Sequence, residues 1–263
     1  MKPHVKLIAV DLDGTLLRED KTISNYTLNV LSRCREAGIK VVCATGRGGS
    51  IQKLTPTGLF DGIVRANGAL AEADGVNTHS KLVPYEIARP FLVACDKHGL
   101  RMSSQIGDKD YSNFRLTDVW DFFNEDDFEI VDFATHDKDA EKIFSDYATQ
   151  DEVDIMTRLL PKELSLVAAR DGIVMIMHKD ANKASGLAAL ATHWGIAQEE
   201  IAAFGDDFND IDMLRYAGVG IAMGNALDEV KVIADFVCGT NEDDGIAKWI
   251  LGNIPMPRNG MCI

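Results

Sequence analysis

Two short apolar runs on either side of one amphipathic stretch do more than any other feature to limit how this chain can fold. Leu7–Val10 and Ile39–Ala44 are brief and almost wholly apolar, and they read as strands buried on both faces. Between them Ser24 stands where an N-cap belongs, residues 25–37 carry a helical pattern, and Gly38 supplies the C-terminal stop. A strand, a helix and a second buried strand predict a parallel pair with a right-handed crossover. The expected class is therefore α/β, with a doubly wound, mainly parallel sheet. In such sheets ligands bind beyond the carboxyl ends of the strands. Residues that directly follow each apolar run are the candidates for function.

After Val10 come Asp11, Leu12, Asp13, Gly14 and Thr15. If the backbone stays extended, Asp11 and Asp13 project to one side and Leu12 to the other. Two carboxylates that close repel unless a cation or a proton lies between them, and Gly14 lets the backbone approach a bound anion. The second run ends in Thr45, Gly46 and Arg47. Gly62–Ala66 reads as a third strand, followed by the hairpin-turn signal Asn67-Gly68-Ala69. Alternation returns late in the chain. Lys183–Trp194, Asn209–Ala217, Ala226–Ala234 and Glu242–Leu251 read as helices, and Ile201–Gly205, Val219–Ala222 and Phe236–Val237 as strands. From Gly252 on, Pro255, Pro257 and Gly260 suggest a loose tail.

The middle of the chain has a different texture. Pro84–His98 is patterned as a helix, and Arg101–Ile106 with Asp110–Arg115 as strands about a Gly107-Asp108 turn. Asp118–Glu141 holds ten acids against one base and reads as solvated loop and helix surface. Ile143–Gln150 looks helical, and Leu164–Ala169 with Ile173–His178 look like closing strands around Asp171-Gly172. These features predict an α+β domain at 82–181 inserted into a Rossmann-like core made of residues 1–81 and 182–263. Its hinges are expected near Lys81-Leu82 and between His178 and Asn182.

Of the net charge of −14, residues 82–181 contribute most, with 21 acids to 11 bases. That balance disfavours nucleic acid and anionic membrane surfaces, which call for a basic face. The five cysteines are scattered and form no C-x-x-C pair, as expected of reduced thiols rather than of a disulfide frame or a zinc site. No apolar run reaches 18 residues and no signal-peptide core opens the chain, so a soluble, cytoplasmic protein is expected. Oligomeric state is not legible. No G-x-G-x-x-G follows the first strand, which disfavours a dinucleotide-binding role.

Polar residues gather at four strand ends or helix starts: Asp11 with Asp13; Thr45 with Gly46; Lys183; and Gly205-Asp206-Asp207 with Asn209 and Asp210. Carboxylates at one sheet edge suit a hard cation such as Mg2+. A hydroxyl, free N–H groups and an ammonium suit phosphoryl oxygens, whose electrostatic stabilisation is most of what phosphoryl transfer requires. Each has a plainer role when taken alone. Thr45 is a helix cap, Asp207 a solvated charge, and Lys183 sits poorly in a first helical turn unless it faces an anion.

Taken in order, Asp11-Leu12-Asp13-Gly14-Thr15, Thr45-Gly46-Arg47, Lys183 and Gly205-Asp206-x-x-Asn209-Asp210 resemble the haloacid dehalogenase-like superfamily. More closely, the set is similar to the Cof-type phosphatases, which insert a large α/β cap between the second and third motifs. Asn67-Gly68-Ala69, Ala222-Met223-Gly224-Asn225-Ala226 and Gly245-Ile246-Ala247 match as well. The resemblance implies a Mg2+-dependent hydrolase that removes phosphate from a small phosphorylated metabolite, a sugar phosphate foremost, through an aspartyl-phosphate. Asp11 would be the nucleophile, and Asp13 would protonate the leaving oxygen and then deprotonate water. Lys183 would neutralise charge shared by Asp11 and the phosphoryl group. The Asp11 side chain, the Asp13 carbonyl and the Asp206 side chain would hold Mg2+, with Asp210 in support. Thr45, Gly46 and Asn209 would bind phosphoryl oxygens. Arg47 would meet substrate or the inserted domain, or form a surface ion pair. The inserted domain would act as a lid that excludes water and selects the leaving group. Asp207 departs from the pattern, since relatives often have Asn there. Two other readings use the same residues, a phosphosugar mutase and a receiver-type protein in which the phospho-aspartate persists as a signal. The inserted domain counts against the second.

Overall fold

The computed structural model describes residues 4–49, 51–168 and 172–255. The chain divides into two compact units. One runs through Ser80 and resumes at Asn182; the other is Lys81–Ala181.

The first segment contains β1 (Leu7–Val10), α1 (Asn25–Glu36), β2 (Lys40–Ala44), α2 (Ile51–Leu54), β3 (Gly62–Arg65), β4 (Leu70–Ala73) and β5 (Val76–Ser80). Helix α1 starts as its sequence predicts, with Ser24 Oγ accepting from the Thr27 N–H at 3.0 Å, and it stops at Gly38, whose φ is +83°. Strands β4 and β5 are additions to the sequence reading. Asn67 takes φ +49° inside a short turn, and the chain returns antiparallel along β3 and then β4. Strand β5 has no fully buried residue, so nothing in its sequence alternates strongly enough to announce it.

Lys81–Ala181 holds α3 (Tyr85–Lys97), β6 (Ser103–Ile106), β7 (Lys109–Ser112), β8 (Phe128–Ile130), β9 (Lys142–Asp146), α4 (Gln150–Leu159), β10 (Leu164–Ala168) and β11 (Ile173–His178). Its six strands lie in the order β10-β11-β9-β6-β7-β8, antiparallel except for β7 with β8. Phe91 and Leu92 of α3 pack with Val153 and Met156 of α4 over Ile143, Val174 and Ile176. Here the expectation for Ile143–Gln150 fails, because the segment begins as strand β9 and not as a helix. Ile143 packs into that helix-covered core, and Phe144 joins a separate cluster with Leu116 and Phe128. Adjacent residues serving opposite faces require a period of two. The helix starts at Gln150 instead, where Glu152 accepts from the Thr149 N–H at 3.1 Å. The acidic stretch 118–141 contains short 3-10 turns and β8 but no α-helix. Ala169 and Asp171, assigned to the closing strand pair, lie outside the described residues.

The return segment supplies α5 (Lys183–His193), β12 (Ile201–Gly205), α6 (Ile211–Tyr216), β13 (Val219–Ala222), α7 (Asp228–Ile233), β14 (Phe236–Val237) and α8 (Gly245–Asn253). The sheet of this unit runs β14-β13-β12-β1-β2-β3-β4-β5. From β14 to β3 every pairing is parallel. Strand β1 is central, with Val10 in register with Phe204 on one side and Cys43 on the other. The winding reverses between β1 and β12, so the switch-point crevice opens between the ends of these two strands. The core beneath is the apolar content of β1, β2 and β12, nearly all of it fully buried. Helix α8 continues past Gly252 to Asn253, Ile254 is buried against the core, and residues 256–263 of the expected tail, with Pro257, Gly260 and Cys262, lie outside the described residues. Among the described residues the four cysteines are free and no helix is long and apolar enough to cross a membrane.

Candidate active site

Strand β1 ends at Val10, and the chain turns at once. Asp11 and Asp13 engage different partners there. The Asp11 carboxylate is 5% exposed and its Oδ1 accepts from Lys183 Nζ at 2.6 Å. The same ammonium donates to Asp210 Oδ1, also at 2.6 Å, and is wholly buried. Its place follows from how α5 begins. Asn182 Oδ1 caps the helix by accepting from the Ser185 N–H at 2.8 Å. Two glycines let α5 settle against the sheet. A Cβ at Gly68 would overlap the Asn182 carbonyl, and one at Gly186 would collide with Val64. A cation at a helix N-terminus opposes the dipole, and burial alone would neutralise it. The charges of Asp11 and Asp210 overcome that burial and hold the Lys183 ammonium well above the usual lysine range.

Beyond β12 the spacing Gly205-Asp206-Asp207-x-x-Asp210 closes a tight loop. Asp210 Oδ2 accepts from the N–H groups of Asp206 and Asp207 at 2.9 and 3.2 Å, so both of its oxygens are engaged within the protein. Asp206 Oδ1 accepts from the Thr15 hydroxyl at 2.6 Å. Gly14 has φ +78°, and a Cβ there would overlap the Asp206 carboxylate. Two loops 191 positions apart at Thr15 and Asp206 thereby close on each other. Asp11, Asp206 and Asp210 can each offer an oxygen such that all three lie within 4.8 Å of one another. Burial, reinforced by Asp210 and Asp206 and opposed by Lys183, pushes the Asp11 carboxyl up to about 8. Burial with the charges of Asp210 and Asp207 pushes Asp206 up to about 6. Three carboxyl groups share one ammonium, and the upward shifts of Asp11 and Asp206 show how poorly that single cation offsets their burial and charge. Such a set of hard oxygen donors, at a turn open enough for only a glycine, fits Mg2+.

Asp13 belongs to a neighbouring arrangement. Its Oδ2 accepts from Arg47 Nε at 2.5 Å, and its Oδ1 accepts from Arg47 Nη2 at 2.8 Å and Lys21 Nζ at 2.9 Å. Partial burial works against ionisation, but the hydrogen bonds from Arg47 and Lys21 prevail and hold the carboxyl down at about 2. Arg47 therefore forms an ion pair, one of the roles left open for it. Thr45 is buried, and its Oγ1 accepts from the Arg47 N–H at 3.1 Å. Gly46 passes close to Asn67, whose Oδ1 accepts from Asn209 Nδ2 at 3.0 Å.

The structure thus brings together Asp11, Lys183, Asp206 and Asp210, joins Gly46 and Asn209 through Asn67, and ties Asp13 to Arg47. Three contributors went unassigned in the sequence. Asn67 was legible as a turn residue in a matched stretch without a role, and Thr15 only as part of its motif. Lys21, at φ +64°, carried no signal.

A family model described as haloacid dehalogenase-like hydrolase matches residues 8–250. The chain is 31% identical over 263 residues to the 5-amino-6-(5-phospho-D-ribitylamino)uracil phosphatase YitU of Bacillus subtilis, covering 95% of this chain and 97% of that one. Among solved structures it is similar to the phosphatase BT1666 of Bacteroides thetaiotaomicron, with a TM-score of 0.80, 26% identity and 94% of each chain covered. It is also similar to the subclass IIB sugar phosphatase BT4131, with a TM-score of 0.79 and 26% identity over 94% of this chain and 98% of that one.

Proposed function

The chain belongs to the haloacid dehalogenase-like hydrolases and is a phosphomonoesterase, and we propose that it removes phosphate from a small sugar or polyol phosphate with Mg2+ and an aspartyl-phosphate intermediate. The observation that carries this reading is Lys183, buried between Asp11 and Asp210 at 2.6 Å from each, with Asp206 beside them. Such a cation lets a carboxylate approach a phosphoryl group that would otherwise repel it. The substrate class is supported by the relatives: one is a sugar phosphatase, and another acts on a phosphate carried by a ribityl chain.

On this reading an Asp11 oxygen attacks phosphorus, the bond from phosphorus to the leaving oxygen breaks, and that oxygen takes a proton from the Asp13 carboxyl. Water then attacks phosphorus and gives a proton back to Asp13 as the bond to Asp11 breaks, releasing inorganic phosphate. Splitting the displacement in two lowers each barrier. Asp11 and Asp206, with the Asp13 carbonyl, would hold Mg2+, which when bound neutralises charge on the phosphoryl oxygens. Asp210 orients Lys183 and the Asp206 loop. Thr45, Gly46 and Asn209 would receive the phosphoryl oxygens. Paired with Arg47 and Lys21, Asp13 is ionised and ready to act as a base. To act as an acid it must first gain a proton, which becomes easier once those cations turn toward an incoming anion.

The test is a screen of sugar, polyol and other phosphorylated metabolites for phosphate release with Mg2+, run beside Asp11→Asn. Steady release by the parent and none by the variant is expected. Retained turnover in Asp11→Asn would remove Asp11 as nucleophile.

A further inference from the structure

The residues Ala222-Met223-Gly224-Asn225-Ala226, matched in sequence but given no role above, lie where β13 ends. Asn225 Nδ2 donates to the Gly14 carbonyl at 2.7 Å, and its Oδ1 accepts from the Asn241 N–H at 3.1 Å. A flipped amide would set an oxygen against the carbonyl and an NH2 against the N–H, so the two partners fix its orientation. Asn241 in turn sends its own side-chain NH2 to the Leu17 carbonyl at 2.9 Å. Two asparagines from the last third of the chain therefore grip the loop after β1 at both of its ends, Gly14 and Leu17.

That loop is the one that closes on Asp206. Between the gripped carbonyls stands Thr15, whose hydroxyl reaches Asp206 Oδ1, and before them stands Asp13. Gly14 is in a left-handed conformation with the Asp206 carboxylate where a side chain would be. The loop's internal bonds, Leu16 N–H to the Asp11 carbonyl at 3.2 Å and Leu17 N–H to the Leu12 carbonyl at 2.8 Å, leave the Gly14 carbonyl free for Asn225. The supporting side is anchored independently. The Gly224 N–H donates to the Gly239 carbonyl, and the Leu227 N–H donates to the Asp206 carbonyl, each at 3.0 Å. Asn225 thus stands on a segment already tied to Asp206 and extends one arm to the opposing loop.

Resting on the reading of this centre as a Mg2+ site, we propose that Asn225, assisted by Asn241, is a positioning residue for the metal. By holding the Gly14 carbonyl it keeps Asp13 and Thr15 in station opposite Asp206. Asn225 is exposed, so its loss removes little from the fold. Outer partners of metal ligands typically govern affinity or activity by about 10- to 100-fold.

The experiment is calorimetric titration of Mg2+ alone, without substrate, into the full chain and into Asn225→Ala, Asn241→Ala, Asp206→Ala and Asn253→Ala. In the last, the lost bond is a comparable one, from Asn253 Nδ2 to the Trp249 carbonyl within α8. Asn225→Ala should weaken Mg2+ by about tenfold or more, while its metal-free melting midpoint stays within about 3 °C of the parent. Asn241→Ala should shift affinity the same way by less, and Asn253→Ala not at all. Saturating Mg2+ should restore turnover in Asn225→Ala. Parent-like affinity in Asn225→Ala overturns the proposal, as does an equal loss in Asn253→Ala. If Asn225→Ala fails to fold, parent-like affinity in Asn241→Ala overturns it. A parent that binds no Mg2+, or an Asp206→Ala that binds it equally well, overturns instead the reading of the centre on which the proposal rests.

Discussion

Lys183 Nζ and Asp11 Oδ1 sit 2.6 Å apart, although 172 positions separate them in the chain and neither is freely reached by water. An ammonium that deep is tolerable only because Asp11 and Asp210 share it. Removing it leaves Asp11 and Asp210 buried with no cation between them. Lys183→Met is therefore expected to destabilise the metal-free protein by about 3–5 kcal/mol and to abolish phosphate release, as read by urea unfolding and a phosphate assay. A variant as stable as the parent would show that the triad is already neutralised by some other means.

Asp11 has an acidity that works against folding. Its carboxyl rises from 3.8 to about 8 in the folded chain, so the native state holds a proton that the unfolded state has given up. Stability from this group is full below pH 3.8 and is lost as pH rises through about 8. Asp11→Asn should accordingly be more stable than the metal-free parent, by a margin that grows from about pH 5 to about pH 8. Urea midpoints measured in a chelator at both ends of that window decide it, and a margin that shrinks with pH would reverse the sign.

Asp13 is the opposite case, held at about 2 against an ordinary 3.8. Its contribution is present above pH 3.8 and fades as pH falls toward 2. In Arg47→Ala its carboxyl should titrate higher yet remain below 3.8, because Lys21 Nζ stays 2.9 Å away. A side-chain carbon-13 titration of Asp13 would read this directly. An unmoved midpoint would mean that Lys21 alone sustains the shift.

Gly14→Ala should act at a distance from its own position. Its φ of +78° strains any side chain, and the added methyl meets the Asp206 carboxylate. Mg2+ affinity should fall by at least about tenfold with the melting midpoint lowered only modestly, as measured by calorimetry and thermal unfolding. Undiminished affinity would detach Asp206 from the centre.

Each unit has its own apolar core, one beneath β1, β2 and β12 and the other beneath α3 and α4. Replacing residues 82–181 with a short flexible linker should leave a chain that unfolds in one cooperative transition by circular dichroism. A gradual, non-cooperative loss of signal would mean that the first unit depends on the second.

What could be read from the sequence followed burial. Strands β1, β2, β12 and β13 announce themselves because both of their faces are covered, which leaves uninterrupted apolar runs. The acids after β1 and β12 were legible because a parallel sheet puts such ends on one edge. Strand β5 was missed because Val76 and Asn77 are exposed and the pattern there carries no period, and β4 because it is only four residues long. The segment at Ile143 misled because its apolar spacing suits a helix as well as a strand, and only its place between β11 and β6 decides. Asn67 and Asn225 were matched without a role, and Lys21 was passed over, for another reason. They act through bonds to residues far away in the chain, and polar residues in turns look alike until those partners are known.

Strand β1 has one neighbour, β2, that leaves the ribosome shortly after it, and another, β12, that emerges only once the whole of Lys81–Ala181 has been made. Until then one hydrogen-bonding edge of the central strand stays bare, an invitation to mispairing in a crowded cell. The inserted unit has a complete core of its own and can finish folding while its host waits. The reactive carboxylates are thus assembled among the last events of biosynthesis, and a truncated product ending before Ile201 is inert however well its earlier parts have folded.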